Sequence, residues 1–93
     1  MRLQFLPSAV RDFARLREFV EPKNPEAAAR IALRLHEAAI MLLTTPDLGR
    51  PIPGTPYRKL VIRMRRSAYI MRYRHTADAI VIVRVFHGRE RLA

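Results

Sequence analysis

The chain has 93 residues, a length that builds one hydrophobic core and no more. Lysine and arginine number 18 against 8 aspartates and glutamates, a formal net charge of +10, and only Lys23 and Lys59 are lysines, so an anionic partner is expected: nucleic acid, an acidic protein surface or anionic lipid. The 49% apolar fraction excludes a disordered basic tail, and the lack of cysteine excludes disulfides and thiolate metal sites.

Residues Arg2 to Leu6 alternate, with Leu3 and Phe5 on one side and Arg2 and Gln4 on the other, which predicts a short first strand ending at Pro7. The opening MRLQFLPSAVRDF holds no sustained apolar run, so neither a signal peptide nor a membrane span is expected, and a cytoplasmic location is. Ser8 is placed to cap a first helix that runs to about Glu21, with Val10, Phe13, Leu16 or Arg17, and Val20 recurring at helical spacing. Pro22 stops it.

Asn24, Pro25 and Glu26 together mark the start of a second helix: a side-chain cap, a proline at the first helical position and a carboxylate at the positive helix end. Ala28, Ile31, Leu35, Ala38 and Leu42 form one apolar stripe along it. Ala32, Leu33, Ala39, Ile40 and Leu43 widen the arc beyond what one sheet face requires. Either the helix packs on two sides, or part of the arc lies open as a groove for a partner segment.

The stretch TTPDLGRPIPGTP, Thr44 to Pro56, carries four of the seven prolines and two of the three glycines, which predicts a rigid loop. Arg50 within it is expected to pair with Asp47 or another carboxylate. Three strands follow. Tyr57 to Arg65 sets Leu60, Ile62 and Met64 against Lys59, Val61, Arg63 and Arg65, and Ser67 to Ala68 is the expected turn. Ala68 to His75 places Tyr69, Met71 and Tyr73 on one face and Arg72 and Arg74 on the other. After a second turn at Thr76 to Asp78, Ala79 to Phe86 alternates Val81, Val83 and Val85 with Ile80, Ile82, Arg84 and Phe86.

The order is β-α-α-β-β-β, and the short connections favour antiparallel pairing. This predicts an α+β fold in one domain over residues 1–93, a helical hairpin packed on one face of a curved antiparallel sheet. Arg72, Arg74 and Arg84 are expected on the other face, where clustered like charges ask for an anion. The chain then leaves the last strand through HGRERLA, which delivers His87, Arg89 and Arg91 off the strand's end, with Gly88 expected to let the backbone turn. His36, His75 and His87 lie on different elements with no carboxylate spacing beside them, so no metal site and no cofactor are expected. No phosphate loop, dinucleotide fingerprint or nucleophile triad is present in the sequence.

Taken together, NPEAAARI, TTPDLGRPIPGT, YIMRYRH and IVIVRVFHGRE resemble the ParE branch of the ParE/RelE toxin superfamily of bacterial type II toxin-antitoxin systems. The likeness runs from Phe5 to Glu90, and its most specific pieces are PDLGRP at Pro46 to Pro51, the tyrosine strand at Tyr69 to Tyr73 and HGR at His87 to Arg89. The resemblance implies a toxin neutralised by a cognate acidic antitoxin in a hetero-oligomer, with DNA gyrase as target and no turnover of its own. It points to Arg89, His87, Arg91 and Arg84 for target binding, and to Phe13, Leu33, Ile40, Arg72 and Arg74 for the antitoxin.

RelE-like members instead cut mRNA on the ribosome, and their pattern transfers incompletely. The strand arginine expected after Tyr69 is Ile70, and the tyrosine expected beyond the terminal arginines has no counterpart up to Ala93. Arg89 matches the transition-state arginine, Arg63 stands near a basic strand position, and His87 would serve as acid or base. The alternatives are therefore such a nuclease, acting through His87 and Arg89, or a non-toxic basic binding or assembly module.

Overall fold

The computed structural model describes residues 1–90 and contains five strands and two helices. In chain order these are β1 (Arg2–Phe5), α1 (Pro7–Val20), α2 (Pro25–Met41), β2 (Arg50–Pro51), β3 (Arg58–Met64), β4 (Ser67–His75) and β5 (Ala79–His87). The sheet order is β1-β5-β4-β3-β2, with the helical hairpin on one face. The last three strands form the expected antiparallel meander, whereas β1 lies parallel to β5 in the register Arg2↔Ala79 to Phe5↔Ile82. The sheet is mixed because the helices carry the chain back before it returns as β3 to β5, and a long connection permits parallel pairing. A two-residue β2, within the stretch expected to be loop, pairs Arg50 with Lys59 and Pro51 with Arg58.

α2 follows its sequence signals. Asn24 accepts the Ala27 N–H at 3.0 Å, Pro25 opens the helix, and Ala28, Leu35, Ala38 and Leu42 are buried, with Ile31 half-buried. The second apolar set divides: Ala39 is buried and Ala32 and Leu43 are half-buried, but Leu33 and Ile40 are exposed. α1 departs from expectation at two points. Leu6 occupies the N-cap position without a side-chain bond, and Ser8 lies inside the helix, where its hydroxyl donates to Val83 O at 2.6 Å. The buried face is Ala9, Asp12 and Leu16, which leaves Val10 exposed.

The β4–β5 register moves from Arg72↔Arg84 to Tyr73↔Ile82, so Val83 is an extra residue, a bulge. Ile80 and Ile82 before it and Val85 after it therefore all reach the core, and the simple Val81, Val83, Val85 alternation does not hold. The β3–β4 turn also falls earlier than expected. Met64 pairs with Ser67, the two turn residues are Arg65 and Arg66, and Arg65 has φ 48°. Tyr69, Met71 and Tyr73 line the core face with Ile62, as the strand alternation predicts.

The proline-rich loop is held by one phenol. Tyr73 Oη donates to Pro46 O at 2.6 Å and accepts Gly49 N–H at 2.9 Å. A Cβ on Gly49 would lie 2.7 Å from Tyr73 Cε1, so a glycine is needed for this approach. Arg58, not Arg50, pairs with Asp47, at 3.4 Å, and also donates to Gly49 O at 2.8 Å. Burial pushes the Tyr73 phenol above its ordinary pKa, which keeps it protonated as a donor.

Candidate functional site

β1 stops at Phe5, so the edge of β5 beyond Ile82 would have no strand partner, and α1 covers it with side chains. Ser8 takes the Val83 carbonyl. Asp12 accepts Val85 N–H at 2.8 Å, and Arg15 donates to Val85 O at 3.3 Å. Asp12 is only 2% exposed and also accepts from Arg84 Nε at 2.8 Å, from Arg84 Nη2 at 3.1 Å and from Arg15 Nη1. Burial alone would raise its carboxyl pKa, but the hydrogen bonds from Arg84, Arg15 and Val85 hold it below the ordinary carboxylate value. The same bonds to Asp12 raise both guanidinium pKa values.

Arg15 extends this pairing to the end of the described chain. Its Nη2 donates to Glu90 Oε2 at 2.8 Å, and Glu90 Oε1 accepts His87 N–H at 3.2 Å. Gly88 N–H donates to Ala68 O at 2.7 Å, and Arg89 N–H donates to His87 Nδ1 at 3.1 Å, so the proton of a neutral His87 ring sits on Nε2. The ring stands edge-on to Tyr69 at 5.1 Å. Gly88 does not use a positive φ, contrary to the simple turn argument. Its constraint is space, since a Cβ there would lie 3.1 Å from Ala68 O.

This turn forms one wall of a groove of about 640 Å³ lined by Leu16, Phe19, Val20, Ile31, Tyr69 and Arg89, among others. Phe19 is 70% exposed. A second groove of about 910 Å³ shares Ile31, Ser67 and Tyr69 with the first and continues between α2 and the β3–β4 hairpin. Arg30, Arg34, Arg63, Arg65 and Arg66 rim it against a single carboxylate, Glu37. The two grooves adjoin at the shared residues and together make a channel-like surface, with its apolar floor in the first and its basic rim on the second.

The residues singled out in the sequence fall in different places. His87 and Arg89 reach the first groove, Arg63 the second, and Arg91 lies outside the described residues. Arg84 is not an unpaired cation of an open face. The bulge lets its guanidinium reach Asp12, which the alternation pattern could not reveal. Arg72 and Arg74 do lie on the face away from the helices, where the Arg72 guanidinium covers the Phe86 ring at 5.3 Å. Leu33 and Ile40 are exposed on α2, and Leu33 lines the second groove. Phe13 is half-buried, 5.7 Å from the Phe5 ring and 4.9 Å from the His36 ring, and so belongs to packing between β1 and the helices. Sequence reasoning passed over Asp12, Arg15, Phe19 and Glu90. The available signal was a carboxylate at position 12, between Ala9 and Leu16 on the buried stripe, with an arginine three residues on.

The family model described as "ParE toxin of type II toxin-antitoxin system, parDE" matches residues 3–92. The chain belongs to the ParE toxin family. Similar proteins include the Caulobacter vibrioides toxin RelE1, 37% identical over 82 residues that cover 88% of this chain and 87% of that one. The toxin RelE2 of the same organism is 39% identical over 81 residues, 86% of each chain. Among solved structures, a chain described as "Chromosomal ParDE TA system from P. aeruginosa" superposes with a TM-score of 0.77 at 21% identity, over 94% of this chain and 95% of the other. A ParE-family chain with RelE-named relatives sits within the ParE/RelE superfamily, and its fold of two helices on a five-stranded sheet is the one shared with that structure. Among the described residues no helix is long and apolar enough to cross a membrane.

Proposed function

We propose that this toxin-family chain acts by binding rather than by turnover, with DNA gyrase as its target and an acidic antitoxin, encoded beside it, as its inhibitor. The observation that carries this reading is the channel itself, an apolar floor of Phe19, Val20, Ile31 and Tyr69 under an arginine rim. Such a surface suits an amphipathic acidic segment: apolar anchors supply burial, and carboxylates answer the rim. Cutting RNA would require a base for the 2′-hydroxyl, an acid for the leaving oxygen and cations at the phosphorane. His87 Nδ1 is already engaged with Arg89 N–H, and Arg84 is engaged with Asp12. The Tyr69 phenol has its pKa raised by burial and then by the Glu90 charge, which disfavours the anion. These commitments favour a binding surface over an acid-base centre.

The ribosome remains the second reading, because RelE1 and RelE2 carry the RelE name and because Arg89 and Arg63 are exposed and available. The deciding experiment is ATP-dependent supercoiling by purified gyrase, with the refolded toxin titrated in and the antitoxin added back. Trapped cleaved DNA that antitoxin reverses is the expected result. Unimpaired supercoiling by folded toxin, with mRNA cut only when ribosomes are present, would move the assignment to the nuclease. Neither effect would leave a basic binding module.

A further inference from the structure

Glu90 occupies a seat built by other residues. Arg15 Nη2 and His87 N–H converge on its two carboxylate oxygens at 2.8 and 3.2 Å, beside Arg89 at the rim of the first groove. The donors are held from behind. Arg15 Nη1 is fixed on buried Asp12, and its Nη2 also bonds Val85 O, so the guanidinium keeps its direction whether or not Glu90 is present. His87 N–H belongs to β5, and the turn after it is fixed separately by Gly88 N–H on Ala68 O. The seat is thus preorganised, and its present occupant still reaches water, with 30% of the Glu90 side chain exposed.

We infer that this seat is an exchangeable carboxylate site, occupied by Glu90 in the free toxin and taken by a glutamate or aspartate side chain of the bound antitoxin. The inference rests on the antitoxin reading above and deepens it. A surface pair of this kind favours the closed state by only about two- to fivefold in equilibrium constant. One carboxylate replacing another on the same donors costs little, and the groove floor next to it supplies the apolar burial that favours the intermolecular carboxylate. Exposed Phe19 and half-buried Val20 and Ile31 lie along that floor. Releasing Glu90 also removes the side-chain tie between α1 and the turn that carries Arg89. Antitoxin binding therefore loosens the segment assigned to target contact, and neutralisation does not require direct cover of Arg89.

Two measurements test this on the full chain. The first uses propionate, the side-chain acid of glutamate, as probe and is independent of any antitoxin. In Glu90→Ala, the His87 amide resonance should shift saturably with propionate, and Arg15→Lys in that background should abolish the shift, because an ammonium engaged by Asp12 offers no second fork. The second measures affinity for the acidic protein encoded beside the gene. Glu90→Gln, which keeps the side-chain shape, should bind it about two- to fivefold tighter than wild type, and Arg15→Lys should bind it more weakly. No propionate shift in a folded Glu90→Ala, or unchanged or weaker affinity of Glu90→Gln, overturns the exchangeable site. So does a short oligoribonucleotide that expels propionate from the seat at lower concentration than the acidic protein does. Failure of wild type to bind the acidic protein at all instead overturns the antitoxin reading and leaves the propionate result standing.

Discussion

Asp12 is a charged side chain placed where α1 needs an apolar one, and it is tolerated because each oxygen is answered. Its folded pKa lies below its unfolded value, so the pair's contribution to stability is complete above the unfolded value and is lost as pH falls through the folded one. Asp12→Asn should therefore cost about 2–3 kcal/mol near neutral pH, less than the roughly 3–5 kcal/mol of a fully buried pair that loses one partner, because Arg15 and Arg84 still reach water. Urea unfolding from about pH 7 down to about pH 3 should show the gap between the two proteins closing as the acid limit is approached. A gap independent of pH would mean that the charge contributes nothing. The loop clasp is a second residue-scale case. Tyr73→Phe strands Gly49 N–H and Pro46 O, at about 1–3 kcal/mol, and Gly49→Ala pushes into the phenol, at a similar cost. Because both changes undo one clasp, a double-mutant cycle should give less than the sum.

At the scale of elements, α1 does for β5 what a longer β1 would have done. Leu6 N–H bonds Ile82 O, and Ser8, Asp12 and Arg15 continue along Val83 and Val85. Ser8→Ala should lower stability by about 1 kcal/mol, measured by thermal or urea unfolding, by stranding the Val83 carbonyl at the bulge. If Ser8 were instead a helix cap, a threonine or aspartate would restore the loss. Aspartate should fail, since a carboxylate cannot donate to a carbonyl. The helix itself is legible from Val10 to Val20, and Phe13, Leu16 and Val20 do face inward, but the first turn of the stripe is Ala9 and Asp12 rather than Val10. An aspartate on the buried stripe looks like surface until its partner, 72 residues away, is known. The bulge at Val83 was equally hidden, because every residue from Ala79 to Val83 is apolar and fits either face.

Across the whole molecule, function separates from stability along the channel. Phe19 is exposed and outside the core, so Phe19→Ala should leave the melting temperature nearly unchanged, a stability effect within about 0.5 kcal/mol. The same change should weaken binding to the acidic antitoxin by about tenfold or more in a calorimetric titration, as loss of an aromatic anchor does. Arg89→Ala tests the other end. It removes an exposed side chain whose backbone alone bonds His87, so growth inhibition should be relieved while the toxin still co-purifies with its antitoxin. An unchanged growth defect would exclude Arg89 from the target contact.

The sequence alone determined what local pattern and composition can determine. It set the two helices with the cap and inner stripe of α2, the core face of Tyr69, Met71 and Tyr73, the antiparallel meander, and a charge that asks for an anionic partner. Those features repeat over a few residues, and the period of a helix or strand converts them directly into faces. The tertiary structure alone decided that β1 joins β5 in parallel, that a bulge turns Arg84 toward Asp12, and that Arg15 meets Glu90 across 75 positions. Each is a pairing of groups far apart in the chain. A charged residue carries no local mark of which distant charge it will face, and only closure of the sheet against α1 makes the choice.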